Sequence, residues 1–423
     1  MSADEPPRGA SSAPAGGSEV SKPDGPPQGR AREGEARTSS TAPRAWGDHE
    51  SGPPLKFASP LIDEATIAGV ADVLRSGQIT SGPWVARFEA GLSTFCEGRP
   101  VRVLTSATAA VEVALQLCGI GAGDEVITCA QSFFTVQNMI VKCGATPVFV
   151  DCDLVTRNID LAQVSSRMGP RTRAIIPTHW PGSLVDMDAL HGLARRHGLR
   201  VIEDAALVIG SRYRGRPVGA IGDLVTFSFH PNKNMTSIEG GALVCNDERE
   251  ARRVDVLRFH GIERLPDGTR DVAFPGGKFN LPDVNARIGV EQLARLPDFL
   301  AQRRNLVLRY FERFPTNTGC VLPPRPAEGD GQSWNMFCIL LPDALPMSRK
   351  AFRDALESRG IATGVSYEAL HLSTLGRRYG YRRGDLPNTE RIAERTVTLP
   401  LHAAMSVDDV DRVCDACAQI LGR

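Results

Sequence analysis

Short apolar runs, rich in β-branched residues, recur from Val101 onward. Each has the length of a buried strand; they are VRVLTS, DEVITCA, TPVFVD, RAIIPTH, LRVIEDAA, LVTFSFH and GALVCN. Most are separated by stretches with the apolar spacing of helices, such as AAVEVALQLCGI and MDALHGLARRHG. This alternation predicts an α/β fold with a largely parallel sheet that is covered by helices.

The pattern changes near residue 300. The stretch RIGVEQLARLPDFLAQRRNLVLRYFERF is typical of one long helix, and it is followed by a strand, WNMFCILL, a helix, SRKAFRDALESRG, and a closing helix from Val407. These elements predict a smaller α+β domain over residues 301–423. The larger domain is predicted over residues 54–300, opening with the helical spacing of ATIAGVADVLRSG.

The amino-terminal residues have a different composition. Residues 1–53 consist mainly of Pro, Gly, Ser, Ala and charged residues, with almost no large apolar side chains. The burial of so little apolar surface cannot offset the entropy lost when the chain is ordered. We therefore predict a disordered tail there and ordered structure from about Leu55.

The overall composition favours a globular enzyme that acts on small molecules. The chain of 423 residues is long enough for two buried cores, and its 49 basic residues balance its 49 acidic ones, so no net charge attracts nucleic acid or a membrane. It has no apolar signal segment and no long apolar run, so we expect a cytoplasmic protein. Its ten cysteines, including the pair Cys414 and Cys417, are predicted to be reduced core residues rather than metal ligands.

Three strand ends carry polar residues, and ligands of open α/β sheets bind at the carboxyl ends of strands. The first strand, VRVL, runs through Ser106 to Ala107 and Thr108 and directly into an apolar helix. The free N–H groups of that helix start and the Thr108 hydroxyl could bind a phosphate. Ordinary helix capping by Ser or Thr explains the same pattern.

The other two strand ends carry charged residues. Glu203 and Asp204 close the run LRVI, where a carboxylate would pair either with a protonated pyridine nitrogen or in an N-cap or salt bridge. Lys233 follows VTFSFH, five residues after Ser228, and either it is a solvated loop lysine or it forms an imine with an aldehyde whose phosphate Ser228 binds. Phosphate site, carboxylate and amine together are what pyridoxal 5'-phosphate (PLP) requires.

With these sites in order, the chain resembles the DegT/DnrJ/StrS family of sugar aminotransferases, which have the aspartate-aminotransferase fold, PLP fold type I. The resemblance runs from about Phe57 to Leu421. Its landmarks are SGQITSGPWVARFE, LTSATAAVEVAL, GAGDEVI, GATPVFVDCD, NID, PRTRAIIPTH, IEDAA, GAIGDLVTFSFHPNKN, EGGALV, RFHGI, ARIGVEQL, GVSYEALH and LPLH. The resemblance implies a seven-stranded, mostly parallel sheet in the large domain.

The resemblance also implies a PLP site and a reaction. Lys233 would form the Schiff base with PLP, Asp204 would pair with the pyridine nitrogen, and Ser228 would bind the phosphate together with Ala107 and Thr108. An amino donor, typically glutamate, would first convert the cofactor to its amine form. That form would then aminate a keto sugar carried on a nucleotide, in a ping-pong reaction within a homodimer.

Further residues fall in stretches that line the active site in the family. Phe133, in CAQSFFTVQN, is either the aromatic ring that stacks on the cofactor or a core phenylalanine. His179, His230, Tyr367 and His371 are candidates for substrate contacts, although a structural role is the commoner fate of a histidine.

Two positions depart from the pattern of the family. Leu207 stands where the family commonly has Gln, which removes a polar group near the cofactor. Lys278 stands where the family sends an Asn into the phosphate site of the partner subunit, and Asn280 stands in place of an Arg. We hypothesise that Lys278 contacts the phosphate across the homodimer interface, since a cation also binds an anion; the alternative is a surface lysine.

Other functions remain open at this stage. The amino acceptor could be a keto-cyclitol instead of a nucleotide-linked sugar, and nothing in the sequence separates the two. Sugar dehydratases of the same fold characteristically have His in place of the Schiff-base lysine, so Lys233 argues against that class. A regulatory protein that kept the fold without the chemistry would be expected to lose Lys233 or Asp204, and both are present.

Overall fold

The computed structural model describes residues 53–422 except Pro181 and Pro346. Seven of the described strands form one sheet in the order β1-β9-β8-β5-β4-β2-β3, and three pairs form small two-stranded sheets. The strands are β1 Val101–Leu104, β2 Glu125–Cys129, β3 Thr146–Val150, β4 Thr172–Ile176, β5 Arg200–Asp204, β6 Arg212–Tyr213, β7 Arg216–Pro217, β8 Leu224–Ser228, β9 Gly241–Val244, β10 Ile262–Arg264, β11 Arg270–Val272, β12 Phe337–Leu340 and β13 Thr396–Leu399.

The large sheet confirms the predicted α/β fold. Each of the seven apolar runs contains one of its strands, and only β9 runs antiparallel to its neighbours, β1 and β8. The other neighbouring strands pair in parallel. Parallel strands need crossover connections, which the helices between most of these strands provide.

Both faces of the large sheet are buried, because successive side chains of a strand point to opposite faces. In β1, Val103 packs in one core with Phe227 and Phe229, whereas the next residue, Leu104, packs in another with Val113. The apolar runs are therefore continuous rather than alternating, as expected for strands covered on both sides.

Thirteen α-helices lie in the described residues, and many of them cover these faces. They are α1 Glu64–Ser76, α2 Pro83–Phe95, α3 Ala107–Leu117, α4 Phe134–Lys142, α5 Leu161–Arg167, α6 Met187–His197, α7 Glu248–Leu257, α8 Asp283–Ala294, α9 Leu296–Arg313, α10 Arg349–Glu357, α11 Thr374–Arg377, α12 Pro387–Arg395 and α13 Val407–Ile420.

The helix boundaries follow capping chemistry. Asp63, Ser106 and Asp186 each accept a hydrogen bond from the first turn of the helix that they precede. The single long helix predicted near residue 300 is wrong, because α8 ends at Ala294 and α9 begins at Leu296. Pro297 lies in the first turn of α9, where its missing N–H costs nothing, whereas inside a continuous helix it would remove a hydrogen bond.

The carboxyl-terminal part has its own sheet and core. Strands β12 and β13 pair antiparallel, and their residues Phe337 and Val397 pack with Phe352 of α10 and Val410 of α13. Helix α9 serves both parts, since Leu296 packs in the core beneath the large sheet and Leu306 in this second one. The domain boundary at residue 300, which falls inside α9, stays a prediction.

The expectations about the tail and the location are not tested by the fold. Apart from Pro53, the predicted disordered tail lies outside the described residues. Within the described part of the chain, no helix is both long and apolar enough to cross a membrane. The cytoplasmic location stays a prediction.

Candidate active site

The residues predicted to hold PLP meet at one edge of the large sheet. Asp204 ends β5 and pairs with Thr226, two residues before Ser228 at the end of β8. Ser228 pairs with Gly241 of β9, which in turn pairs with Leu104 at the end of β1. The acid, the serine and the start of α3 therefore lie along adjacent strand ends.

The start of α3 leaves backbone N–H groups available to an anion. Ser106 caps the helix by accepting the Ala109 N–H at 3.0 Å, while the N–H groups of Ala107 and Thr108 lie in the first turn and have no intrahelical acceptor. A Cβ on Gly241 would lie 2.3 Å from the Ala107 nitrogen, so only glycine allows β9 to lie this close to the helix start. The result is a cradle of backbone beside Ser228.

The hydroxyl of Thr108 is held by a second helix start. Its Oγ1 lies 3.0 Å from Oγ1 of Thr135, in the first turn of α4. Phe133 caps that helix with extended backbone. Two helix N-termini, from α3 and α4, therefore meet on this side of the site, and their dipoles favour negative charge.

The two adjacent acids of β5 have different environments. Glu203 is fully buried and contacts Nε2 of His179 at 3.0 Å and Nε2 of His191 at 2.9 Å. Burial alone would raise its pKa, but the two histidine hydrogen bonds outweigh burial and lower the pKa below the usual 4.5. Glu203 is thus a satisfied structural carboxylate.

Asp204 is also buried, but no arginine or histidine pairs with it among the described residues. Its Oδ1 accepts the Ala206 N–H at 3.1 Å, and the Thr178 side chain donates to it as well. Burial raises the pKa of Asp204 despite these bonds and despite the charge of Lys233. Of the two acids, Asp204 is therefore the one whose carboxylate still calls for a cation.

Lys233 lies in the turn between β8 and β9, where its N–H donates to the carbonyl of His230 at 2.9 Å. Burial lowers the pKa of Lys233 to about 8, against the opposing effect of the Asp204 charge. Lys233 is half-buried rather than exposed, which distinguishes it from a fully solvated loop lysine. A partly neutral amine is the form that attacks a carbonyl carbon.

Aromatic rings line another side of the site. Phe133 lies 5.4 Å from Tyr367 between ring centroids, and Tyr367 lies 5.6 Å from Trp180. Phe133 is 49% exposed, so it is not a core phenylalanine. It presents an aromatic face that a planar ligand could cover.

Comparison with known proteins gives this geometry a context. Residues 60–418 match the DegT/DnrJ/EryC1/StrS aminotransferase family. The chain belongs to this family. A spore coat polysaccharide biosynthesis protein of Bacillus subtilis, SpsC, is 36% identical over 379 residues, which are 87% of this chain and 97% of that protein.

Solved structures of similar proteins agree. Spr1654 of Streptococcus pneumoniae, assigned as a sugar aminotransferase and solved in its PLP form, has a TM-score of 0.83 and 30% identity, covering 87% of this chain and 99% of its own. DesI, solved in the presence of its TDP-sugar product, has a TM-score of 0.80 and 28% identity, covering 89% of this chain and 95% of its own. The fold is therefore PLP fold type I.

As a member of the family, this chain is a PLP-dependent aminotransferase. The described residues fit that cofactor. The backbone cradle at Ala107 suits a phosphate, buried Asp204 suits a protonated pyridine nitrogen, and the amine of Lys233 suits an aldehyde. These three groups lie at one sheet edge, as the sequence predicted.

Two of the predicted substrate contacts are fully buried histidines. His179 is fully buried, with Nε2 on Glu203 and Nδ1 accepting the Val185 N–H at 3.3 Å, so neither nitrogen is free for a substrate. His371 is fully buried too, with Nε2 3.0 Å from Glu390. Both ring nitrogens of His179 thus have partners inside the protein, whereas Nδ1 of His371 has none among the described residues. A substrate contact by either histidine stays a prediction.

The other candidates of the family pattern lie closer to solvent. His230 is exposed beside the Lys233 turn, with Nδ1 2.8 Å from Oδ1 of Asn232, and Tyr367 is half-buried against Phe133. Both stay candidates for substrate contacts. Lys278 is exposed, and its Nζ lies 4.1 Å from the centroid of the Phe259 ring.

The departure at Leu207 has a packing explanation. Leu207 is buried in the same core as Trp180 and Phe229. A glutamine amide there would need hydrogen-bond partners, whereas the leucine side chain adds to an apolar core.

Sequence reasoning missed several residues that support the site. Thr178 donates to Asp204, and its Oγ1 lies 2.7 Å from Oγ of Ser132. Trp180 packs against Tyr367. Thr178 and Trp180 flank His179 in PTHW, just beyond the end of β4.

Proposed function

We propose that this enzyme transfers an amino group from glutamate to a keto sugar carried on a nucleotide, by a ping-pong mechanism in which Lys233 is the catalytic lysine. The observation that carries the proposal is that Lys233 and Asp204 lie near each other without an ion pair, close enough for the charge of each to affect the pKa of the other. Both are held at the carboxyl edge of the sheet, and each is shifted by burial away from its ordinary pKa. Such paired shifts are typical of catalytic groups.

The cofactor, when bound, supplies an electron sink for the carbon that loses or gains a proton. In the proposal, the cradle at Ala107 and Thr108 holds the phosphate together with Ser228. Asp204 holds a proton on the ring nitrogen, which a buried carboxylate does well because little water competes for it. Phe133 covers one face of the ring, since its side chain is exposed toward open space.

Lys233 has two roles in this proposal. It holds the cofactor covalently between turnovers, and once it is released it moves a proton between two carbons of the reacting pair. A pKa of about 8 leaves about one amine in ten neutral at pH 7, whereas an ordinary lysine has fewer than about one in a thousand. The depressed pKa therefore suits an amine that must accept a proton near neutral pH.

The sugar acceptor is proposed from the relatives. SpsC bears the name of a polysaccharide biosynthesis protein, Spr1654 is assigned as a sugar aminotransferase, and DesI was solved with a TDP-sugar product. His230 and Tyr367 lie beside Lys233 and Phe133, where a sugar that reaches the amine would pass. We propose these two side chains as sugar contacts.

The proposal includes a homodimer in which Lys278 reaches the phosphate of the partner subunit. Lys278 is exposed, and two residues later Asn280 pairs with Leu104 at the end of β1. The neighbouring Phe259, whose ring centroid lies 4.1 Å from Nζ of Lys278, is 41% exposed. An exposed apolar side chain beside an exposed cation suits an interface that also carries an anion.

The cofactor assignment is tested by trapping. The wild-type protein, loaded with PLP and reduced with borohydride, should carry the label on the peptide that contains Lys233. Lys233→Ala should abolish the label and reduce turnover by at least about 100-fold, the lower bound for loss of a general acid–base group. Lys350→Ala, at a side chain 82% exposed, is the matched control and should behave as wild type. A label on another lysine in the wild-type protein would overturn the assignment.

The acceptor and the interface need separate measurements. The amine form, prepared with glutamate, is mixed with nucleotide-linked keto sugars, free keto sugars or keto-cyclitols, and regeneration of the aldehyde form is followed by absorbance. Fast reaction with a free sugar or a cyclitol, but not with a nucleotide sugar, would refute the proposed acceptor.

For the interface, Lys278→Ala should weaken PLP affinity while the protein stays dimeric; unchanged affinity would refute the role of Lys278.

A further inference from the structure

Helix α9 carries an arginine that is buried without an acidic partner. Arg303 is 4% exposed, and no carboxylate forms an ion pair with it anywhere in the described chain. Burial lowers the pKa of Arg303 to about 10, which leaves it charged at neutral pH. Burying a charge without an ion-pair partner costs free energy, and hydrogen bonds to neutral groups must offset that cost.

The acceptors of Arg303 are backbone carbonyls from three segments. Nη1 lies 3.2 Å from the Trp334 oxygen, 3.1 Å from the Asn335 oxygen and 2.9 Å from the Leu401 oxygen. Nη2 lies 3.5 Å from the carbonyl oxygen of Lys233 itself, the long end of hydrogen-bonding distance. One guanidinium therefore contacts the Lys233 turn, the approach to β12 and the segment after β13.

The same turn is held by neutral amides on either side of Lys233. Nδ2 of Asn335 donates to the Asn232 carbonyl at 3.0 Å, and Nδ2 of Asn234 donates to the carbonyls of Ile209 and Ser333, each at 3.2 Å. These contacts fix the residues before and after Lys233. The carbonyl of Lys233 is left to Arg303.

The backbone at Trp334 also depends on this cluster. Trp334 has a φ of +49°, in the left-handed region that non-glycine residues rarely adopt, and its side chain is almost fully buried. Such a conformation persists only where its surroundings hold it. In this conformation the Trp334 carbonyl accepts a hydrogen bond from Arg303.

We propose that Arg303 is a positioning residue for Lys233. By donating only to backbone carbonyls, it holds the turn that carries the catalytic amine against the segments that flank β12 and β13. A guanidinium suits the task because its planar donors spread over several acceptors, whereas a lysine ammonium is a compact point charge. A carboxylate partner would hold Arg303 to one side chain rather than to the backbone. The inference rests on the proposed role of Lys233.

The test compares Arg303→Met and Arg303→Lys with wild type, with Arg304→Met as the control at the adjacent exposed position of α9. The rate at which apo protein captures PLP in a borohydride-reducible form at Lys233 should fall by about 10- to 100-fold in Arg303→Met, the scale expected for misplacement of a reacting group. Arg303→Lys should restore part of that loss, and Arg304→Met should match wild type.

A second measurement separates positioning from general stability. Hydrogen exchange of the peptide covering residues 230–237 should accelerate in Arg303→Lys, while exchange in β8 and α3 stays as in wild type. If Arg303→Met does not fold, Arg303→Lys alone decides the matter by its capture rate and its exchange. Wild-type capture with unchanged exchange would overturn the inference, and so would a loss of capture that only follows the unfolded fraction. A wild-type label away from Lys233 would instead refute the proposed function.

Discussion

Glu203 and Asp204 are neighbours on β5, and both are buried, yet the fold treats them in opposite ways. Glu203 has two histidine partners and a lowered pKa, whereas Asp204 accepts hydrogen bonds from neutral donors, forms no ion pair among the described residues and has a raised pKa. The Glu203 carboxylate has hydrogen-bond partners for both oxygens without a ligand. The Asp204 carboxylate would gain an ion-pair partner only when a cation binds. The presence or absence of charged partners, rather than burial, therefore distinguishes the functional acid from the structural one.

The largest effect expected from this comparison is on activity. Asp204→Asn should lower turnover by about 10²- to 10³-fold, the range for removal of one preorganised electrostatic contact. Glu203→Gln should change turnover by less than about tenfold, because Glu203 contacts histidines rather than the reacting groups. Steady-state assays of the two variants, matched for PLP content, measure the difference. Equal losses in both variants would erase the distinction between the acids.

Stability should show the reverse order. Glu203→Gln should lower the free energy of unfolding of apo protein by about 1.5–3 kcal/mol, because each carboxylate oxygen contacts a different histidine and glutamine replaces one of these oxygens by an NH2 donor. The folded pKa of Glu203 lies below 4.5, so its stabilisation is present above that pH and is lost as the pH falls through the folded value. The gap between wild type and Glu203→Gln should therefore close under acidic conditions.

The contribution of Asp204 to the free energy of unfolding should depend on pH in the opposite direction. Its folded pKa is raised above 3.8, so the ionised form destabilises apo protein at neutral pH and the cost disappears as the pH falls through the raised value. Apo Asp204→Asn should then be at least as stable as wild type at pH 7 in denaturant unfolding. A marked loss of stability there would mean that Asp204 is structural after all.

Much of this arrangement could be predicted from the sequence. The seven apolar runs each contain one strand of the sheet. Asp204 and Ser228 end adjacent strands, Ala107 begins the helix after β1, and Lys233 lies in the turn after β8, because connection rules bring these strand ends together. Alternation along β5 separates the two acids onto opposite faces, although it does not say which face holds the ligand.

The rest could not be predicted because it depends on partners distant in sequence. His179 meets Glu203 across 24 residues and Arg303 meets Lys233 across 70, and no local pattern encodes either contact. The break between α8 and α9 was missed for a different reason. Apolar spacing continues through Pro297, and only the preference of proline for a first helical turn marks the boundary.

A smaller effect sharpens the comparison at Lys233. Capture of PLP by apo wild-type protein should rise with pH and reach half of its maximum near pH 8, since the neutral amine reacts and burial lowers the Lys233 pKa to about that value. The Asp204 carboxylate favours the ammonium form, so Asp204→Asn should move the midpoint to lower pH, while Glu203→Gln should leave it in place. Stopped-flow absorbance gives both profiles. A midpoint near 10 in wild-type protein would show that the amine is solvated.

The smallest expected effect on activity tests whether the contacts of Glu203 influence Asp204. His191 lies on α6 with its side chain 15% exposed, and it donates one of the two histidine hydrogen bonds to Glu203. His191→Leu should lower the free energy of unfolding by about 1–3 kcal/mol, the cost of leaving a buried acceptor without one of its donors, and leave turnover and the capture midpoint unchanged. Thermal unfolding and the capture assay on one preparation measure both quantities. A fall in turnover without a fall in stability would connect the two acids functionally, because only a change felt at Asp204 could produce it.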